Sequence, residues 1–284
     1  MSALEKIQRS LKTIGDTLAT LVKVPLMSGR PSPKGSKDLG TVIITGNGPS
    51  LKEAMSLHRD VLEKYPRLAV NFSALTPEIF ALKPDYYLLA DIAFFLKEKT
   101  GNVPRLWETL SRIDWPMTLF LPVRARRMPE VKRLPANITV KWFNLTPAEG
   151  WRPLIHAIYR SGIAMPRPRN VIVPSIMSLI REGFSKIVLI GADHNWSKTL
   201  WVTDRNRVVS VQPHFYEDDD AELLRAEEIF KNVHIHDVYE NYAIAFRSYF
   251  NVKDYAQRRG VEILNATPGS FIDAFPRINL GDLA

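Results

Sequence analysis

Two glycine-bearing turns, a histidine pair and an arginine-rich stretch carry the residues with chemical potential. Gly46-Asn47-Gly48-Pro49-Ser50 follows the apolar run Thr41–Thr45. Glycine lets a backbone approach a ligand closely, and a helix starting at Ser50 would aim free N–H groups at an anion. Asn47 offers an amide to a ribose or a phosphate. Leu51 stands where G-x-G-x-x-G needs its third glycine, and no Gly-Lys-Ser/Thr follows, so the turn is neither a dinucleotide fingerprint nor a Walker loop. The second turn, Gly191-Ala192-Asp193-His194-Asn195-Trp196, follows the strongest apolar run, Lys186–Ile190. Asp193 can hold a sugar hydroxyl or a metal, although an Asp-His pair falls short of the three or four ligands a metal site needs. Both turns read equally as ordinary strand-to-helix connections.

In Val233-His234-Ile235-His236-Asp237 either imidazole suits a general base, with an ordinary pKa near 6.5. An extended backbone there puts both histidines on one face, while Asp237 reads equally as a helix cap. A zinc site would lack a third ligand. His58 and His156 fall in helical patterns and read as structural, and His214 is a lesser candidate. The basic stretch holds Arg124, Arg126, Arg127, Lys132 and Arg133, with Arg152, Arg160, Arg167 and Arg169 beyond. Trp107, Trp115, Trp142 and Trp151 intersperse it. It reads either as a dock for an acidic substrate or as a solvated basic face. No nucleic-acid-binding module is recognisable.

The elements that must position these residues alternate. Short apolar runs at Leu68–Asn71, Tyr86–Ala90, Met117–Leu121, Ile138–Phe143 and Glu262–Asn265 join Thr41–Thr45 and Lys186–Ile190. Helical patterns fall at Val173–Gly183, Asp218–Asn232 and Val238–Arg259. Ser50 with Glu53 has capping-box spacing. The alternation predicts an α/β, Rossmann-like, mainly parallel sheet with flanking helices, with the two turns at its carboxyl edge. Leu4, Ile7, Leu11, Ile14, Leu18 and Leu21 predict an amphipathic helix over residues 1–24, ended by Pro25. It would dock on its own domain, on a second copy, or on an anionic membrane surface. A Pro/Gly/Ser stretch then reads as a linker, dividing the chain into 1–38 and a catalytic domain over 39–284.

Composition narrows the partners. The 284 residues carry 38 Lys plus Arg against 30 Asp plus Glu, a formal charge of +8, which favours anionic ligands. Residues 1–40 hold seven basic and three acidic side chains, so half of that excess lies in the N-terminal segment. With no cysteine, thiol nucleophiles, disulfides and Cys-ligated metals are excluded. No run of about 18 apolar residues occurs, and Met1–Lys12 lacks the apolar core of a signal peptide.

The motifs Val42-Ile-Ile-Thr-Gly-Asn-Gly-Pro-Ser-Leu-Lys52, Ala69-Val-Asn71, Pro84-Asp-Tyr-Tyr87 with Asp91, Gly183–Asp193 and Ala266-Thr-Pro-Gly-Ser270 span residues 41–275. Together they resemble bacterial lipo-oligosaccharide sialyltransferases, within the wider 6-hydroxymethylpterin diphosphokinase-like domain group. The resemblance implies a cytidine nucleotide held by Gly46, Asn47, Gly48, Pro49, Ser50 and Asn71, with Asp91 at a further polar family position. The family tyrosines that stabilise the leaving phosphate fall on Asn195 and Trp201. Its general base falls on His236, or less directly His234, and Asn170 and Ser175 are the nearest polar residues to a serine-containing family turn.

The expectation is a glycosyltransferase of surface-glycan assembly, cytoplasmic, either free or peripheral at the inner membrane. It would take a nucleotide sugar and a glycan or glycolipid acceptor, with no metal and no cofactor, and with Asp193 beside the base. Two rivals stand beside it. One is an ATP/Mg²⁺-dependent phosphotransferase of the diphosphokinase type, with Asp91 and Asp193 on the metal. The other is a non-catalytic nucleotide-sugar-binding subunit.

Overall fold

The computed structural model describes residues 2–35, 38–210 and 232–283. Seven strands form one parallel sheet: β1 (Thr41–Thr45), β2 (Arg67–Val70), β3 (Tyr86–Leu88), β4 (Met117–Pro122), β5 (Ile138–Phe143), β6 (Lys186–Ile190) and β9 (Glu262–Asn265), in the order β5-β4-β3-β2-β1-β6-β9. A separate hairpin pairs β7 (Leu200–Val202) with β8 (Val208–Ser210). The central strands are near-continuous apolar runs because both sheet faces are covered. Val42 and Ile44 of β1 enter one core with Ile176, Leu179 and Tyr249, while Ile43 enters another with Leu51, Leu62 and Val188. The fold is α/β and Rossmann-like, as the alternation predicts.

Connectivity decides where a ligand fits. From β1 the chain steps outward through β2 to β5, then returns to add β6 and β9 on the other side of β1. The order therefore reverses between β1 and β6, whose ends are in register at Thr45 and Ile190. Open α/β sheets bind ligands at the carboxyl ends of the strands at such a reversal. Three helices matter there: α2 (Ser50–Leu57) after β1, α8 (Ile172–Glu182) before β6, and α9 (Ile235–Arg258) before β9. Gly183 ends α8 with φ 118°, a conformation that needs glycine at a helix C-terminus.

Helix α1 (Ala3–Met27) differs from expectation in two ways. Pro25 lies inside its last turn, where the lost N–H removes a single bond and the helix runs on to Met27. The Leu/Ile stripe from Leu4 to Leu21 faces solvent. The helix instead docks through its Thr side. Thr20 is fully buried, with Oγ1 donating to the Glu149 carbonyl at 2.7 Å and accepting from the Glu149 N–H at 2.9 Å. Thr17 Oγ1 accepts from Trp151 N–H at 2.8 Å.

The Pro/Gly/Ser stretch expected as a linker packs against the domain. Ser32 N–H donates to the Trp142 carbonyl at 2.9 Å and Gly35 N–H to the Arg181 carbonyl at 3.0 Å. A Cβ on Gly35 would stand 1.7 Å from the Glu182 carbonyl oxygen, so glycine is required for that approach. The acidic helical pattern at 218–231 and His214 lie outside the described residues. No helix among the described residues is long and apolar enough to cross a membrane.

Candidate functional site

The two glycine turns cross at the reversal point, in backbone contact. Gly46 N–H donates to the Ile190 carbonyl and Gly48 N–H to the Gly191 carbonyl, each at 2.8 Å. A Cβ on Gly46 would lie 2.4 Å from the Gly191 oxygen, and one on Gly48 would lie 1.9 Å from Asp193 Oδ2. Glycine at 46 and 48 therefore serves first to let two loops of the chain pass each other.

That contact changes the expected role of the loop. Ser50 does not cap α2; its hydroxyl donates to Asp193 Oδ2 at 2.8 Å, and its backbone N–H reaches the same carboxylate. Asp193 is buried at 7% exposure. Burial raises its pKa, while the bonds from Ser50 pull it down. The anion at the N-terminus of α2 is thus the protein's own Asp193. With Pro49 lacking an N–H and Gly48 already paired, the turn has few backbone donors left for a phosphate.

Beside the crossing lies an open cavity of about 560 Å³. Gly46, Asn47, Gly48, Pro49, Asn71, Asp193 and Asn195 line it. Arg169 and Asn170 line it too, and so do His194, Trp196, Asn241 and Tyr242, which no motif singles out for a role. Two buried amide atoms on this wall have no partner among the described residues, Asn47 Oδ1 and Asn170 Nδ2. Asn47 Nδ2 is spent on the Val70 carbonyl at 3.3 Å. Asn170 Oδ1 accepts from the N–H groups of Ile172 and Val173 at 3.0 and 3.3 Å, capping α8, and from Tyr249 Oη at 3.0 Å. These bonds fix which end of each amide is free. An acceptor and a donor are left for a ligand, and each is costly to bury unpaired.

Trp196 stacks on His194 with centroids 4.3 Å apart and lies 5.5 Å from the Tyr242 ring. His194 has φ 50°, a strained value for a residue with a side chain. Its Nδ1 meets Tyr249 Oη at 3.0 Å, and burial pushes its pKa down to about 3.

A second cavity of about 490 Å³ shares Asn71, Arg169, Asn170 and Val171 with the first. Asp91, Arg124 and Arg167 line it. Asp91 Oδ1 accepts from the Ala93 N–H at 2.9 Å, and Arg167 pairs with Glu149. Arg124 and Arg169 are exposed and make no ion pair among the described residues. The two aspartates expected on one magnesium ion in the phosphotransfer reading therefore line different cavities. Among the described residues no group of three or more His, Asp or Glu could hold a metal.

Several expected residues stand elsewhere. His234 and His236 are not on the cavity wall; His234 is extended as the N-cap of α9, His236 lies in its first turn, and the two rings stack with centroids 5.7 Å apart. His236 projects to solvent at 77% side-chain exposure, near Asp237 Oδ1 at 3.4 Å. The wall takes Val238, Asn241, Tyr242 and Ala245, and two residues along a helix turns a side chain well away from Val238. Asp237 faces back onto the His234 N–H at 3.0 Å. Trp201 sits exposed on the β7–β8 hairpin, off the wall. Trp107 and Trp115 are core residues, their indoles donating to the carbonyls of Phe94 and Pro84. Arg126 lies over Trp142 and donates to the Arg30 carbonyl, a packing role.

A solved glycosyltransferase shares this fold. The MAf glycosyltransferase of Magnetospirillum magneticum AMB-1 superposes with a TM-score of 0.50 at 12% identity, over 95% of this chain and 39% of that one. The chain thus spans about two fifths of that protein, and the likeness is one of fold. No family model matches the chain, and no curated protein matches it.

Proposed function

We propose that the chain is a glycosyltransferase that binds a nucleotide-activated sugar in the cavity between the β1 and β6 turns. The observation that carries this reading is the pair of fixed, unpartnered amides, Asn47 Oδ1 and Asn170 Nδ2, on one cavity at the sheet's reversal point. Hydroxyls of a ribose or sugar suit the first, and a phosphate or carbonyl oxygen suits the second. The cavity volume falls within the range of small-molecule sites, about 300–1,000 Å³. The fold shared with a glycosyltransferase supports the class. The motif resemblance to sialyltransferases makes a cytidine-monophosphate sugar the first donor to test.

In this reading the donor nucleotide leaves as the acceptor hydroxyl displaces it directly. The acceptor enters by the second cavity, where Arg124 and Arg169 favour an acidic glycan. The resemblance implies a step that needs no metal. Nothing in the positions of Asp91 and Asp193 favours the magnesium-dependent alternative.

Thermal-shift and calorimetric titrations with the monophosphates of cytidine, uridine, guanosine and adenosine and their sugars test it. A nucleotide or nucleotide sugar should bind wild type and lose about tenfold or more in affinity to Asn170→Asp, which keeps the acceptor oxygen and removes the free donor. Binding of ATP with Mg²⁺ alone, or equal affinity in both proteins, would sink the assignment.

A further inference from the structure

The polar chain behind His194 fixes where its proton sits. Tyr249 is fully buried, and its one hydroxyl hydrogen is directed to Asn170 Oδ1 at 3.0 Å. Asn170 cannot reverse its amide without leaving the N–H groups of Ile172 and Val173 unpaired. Tyr249 Oη therefore acts as acceptor toward His194 Nδ1, also at 3.0 Å, and the ring carries its hydrogen on Nδ1. Nε2 keeps a lone pair and makes no hydrogen bond among the described residues. Trp196 holds the ring plane by stacking, and the ring retains partial exposure on the cavity wall. The left-handed backbone at His194 is the kind of local strain that a fold keeps to aim a side chain.

We propose that His194 Nε2 is the proton acceptor of the glycosyl-transfer step, with Tyr249 and Asn170 as its positioning residues. The inference rests on the reading of the cavity as a nucleotide-sugar site. The acceptor O–H bond breaks and its proton goes to Nε2. The oxygen's electron pair forms the bond to the anomeric carbon. The bond from that carbon to the phosphate oxygen breaks, and its electrons leave with the nucleotide. The imidazolium then returns its proton to water. Burial holds the ring neutral, with a pKa near 3. A nucleotide phosphate bound beside it favours the charged ring and raises that value toward the working range. The base therefore gains strength when the donor is in place. Among the described residues, the other titratable or charged groups on this wall are Asp193 from the same loop, Arg169 before α8 and Tyr242 from α9, with Tyr249 of α9 bonded to the ring.

Nitrogen-15 NMR of the histidine rings reads the relay without turnover. His194 should show the Nδ1–H tautomer and stay neutral from pH 8 to 5, and added nucleotide should raise its pKa. Tyr249→Phe should move the ring toward a mixture of tautomers. In transfer assays His194→Gln should bind donor within about threefold of wild type yet lose about 10²–10⁴ in rate. Tyr249→Phe should lose less and shift the acid limb of the pH profile. An Nε2–H tautomer, an ordinary titration near pH 6.5, or wild-type rate in His194→Gln overturns the proposal. If the NMR signature holds but wild type transfers from no nucleotide sugar, the glycosyl-transfer reading has failed and the base role falls with it.

Discussion

Gly48→Ala tests the loop crossing on which the site depends. The new Cβ would stand 1.9 Å from Asp193 Oδ2 and 2.7 Å from the Gly191 carbonyl oxygen. Neither neighbour moves freely. Asp193 is buried and tied to the Ser50 hydroxyl at 2.8 Å, and the Gly191 carbonyl accepts from Gly48 itself. Overpacking of this kind costs about 1–3 kcal/mol, and displacing the carboxylate from Ser50 adds about 1.5–3 kcal/mol for a charged hydrogen bond. The sum expected is a loss of roughly 2.5–6 kcal/mol, a melting temperature lower by about 5–12 °C at about 2 °C per kcal/mol for a chain of this size. Urea denaturation of purified protein gives the free energy directly. Gly15→Ala in α1, with open space around it, is the control and should gain about 0.5–1 kcal/mol. In an Asp193→Ala background the worst clash vanishes, and about 1–2 kcal/mol of the Gly48→Ala penalty should be recovered. If Gly48→Ala melts with wild type, or if the two substitutions add without coupling, the crossing does not constrain the loop as described.

His194, buried neutral, contributes stability that is complete above its ordinary pKa of 6.5 and is lost as pH falls toward its folded value near 3. Each pH unit in that window removes about 1.4 kcal/mol, so wild type should lose roughly 2 kcal/mol more than His194→Gln between pH 6.5 and pH 5 in denaturant titrations. Asp193 has the opposite sense for a carboxyl: burial raises its pKa, so stability is present at low pH and falls as pH rises through the folded pKa. Asp193→Asn should therefore flatten that part of the stability–pH curve, and a curve parallel to wild type would contradict it. Asn170→Ala removes a helix cap and the Tyr249 acceptor together and should cost about 2–3 kcal/mol by urea denaturation, against less than about 1 kcal/mol for Asn170→Asp. Thr20→Val leaves both backbone groups of Glu149 unpaired, costing about 2 kcal/mol, and should expose α1 to limited proteolysis before the rest of the chain.

Strand positions were legible because the sheet is covered on both faces. Thr41–Thr45, Ile138–Phe143, Lys186–Ile190 and Glu262–Asn265 form the strands that their apolar runs predict, and Gly183 stops α8 where a C-terminal glycine should. The glycine turns could be placed at the carboxyl edge for the same reason. What stayed hidden was the tertiary use of polar atoms. Ser50 with Glu53 has capping spacing, but Asp193, 143 positions later, takes the hydroxyl. The α1 stripe was visible, but the side that docks is its threonine side, because two backbone groups of Glu149 need a partner and a hydroxyl can satisfy both. A hydrogen-bond demand at a distant loop leaves no periodicity in the helix that answers it.

The histidines show the same limit in the site. His236 drew attention because a histidine pair before a long helix matched a family position, yet helix geometry turns it to solvent. His194 follows Asp193 in the second turn, and nothing local distinguishes it. Its properties come from Tyr249, 55 positions on, and from Asn170, whose own orientation is fixed by capping a helix. The cap therefore sets the amide, the amide sets the tyrosine, and the tyrosine sets the tautomer. One signal was available in advance: Asn170 stands two residues before α8, in a cap-forming position, and so was bound to present its amide nitrogen away from the helix. A cap whose second group is buried and unpaired is a pointer to a ligand that sequence spacing can raise and only the assembled fold can confirm.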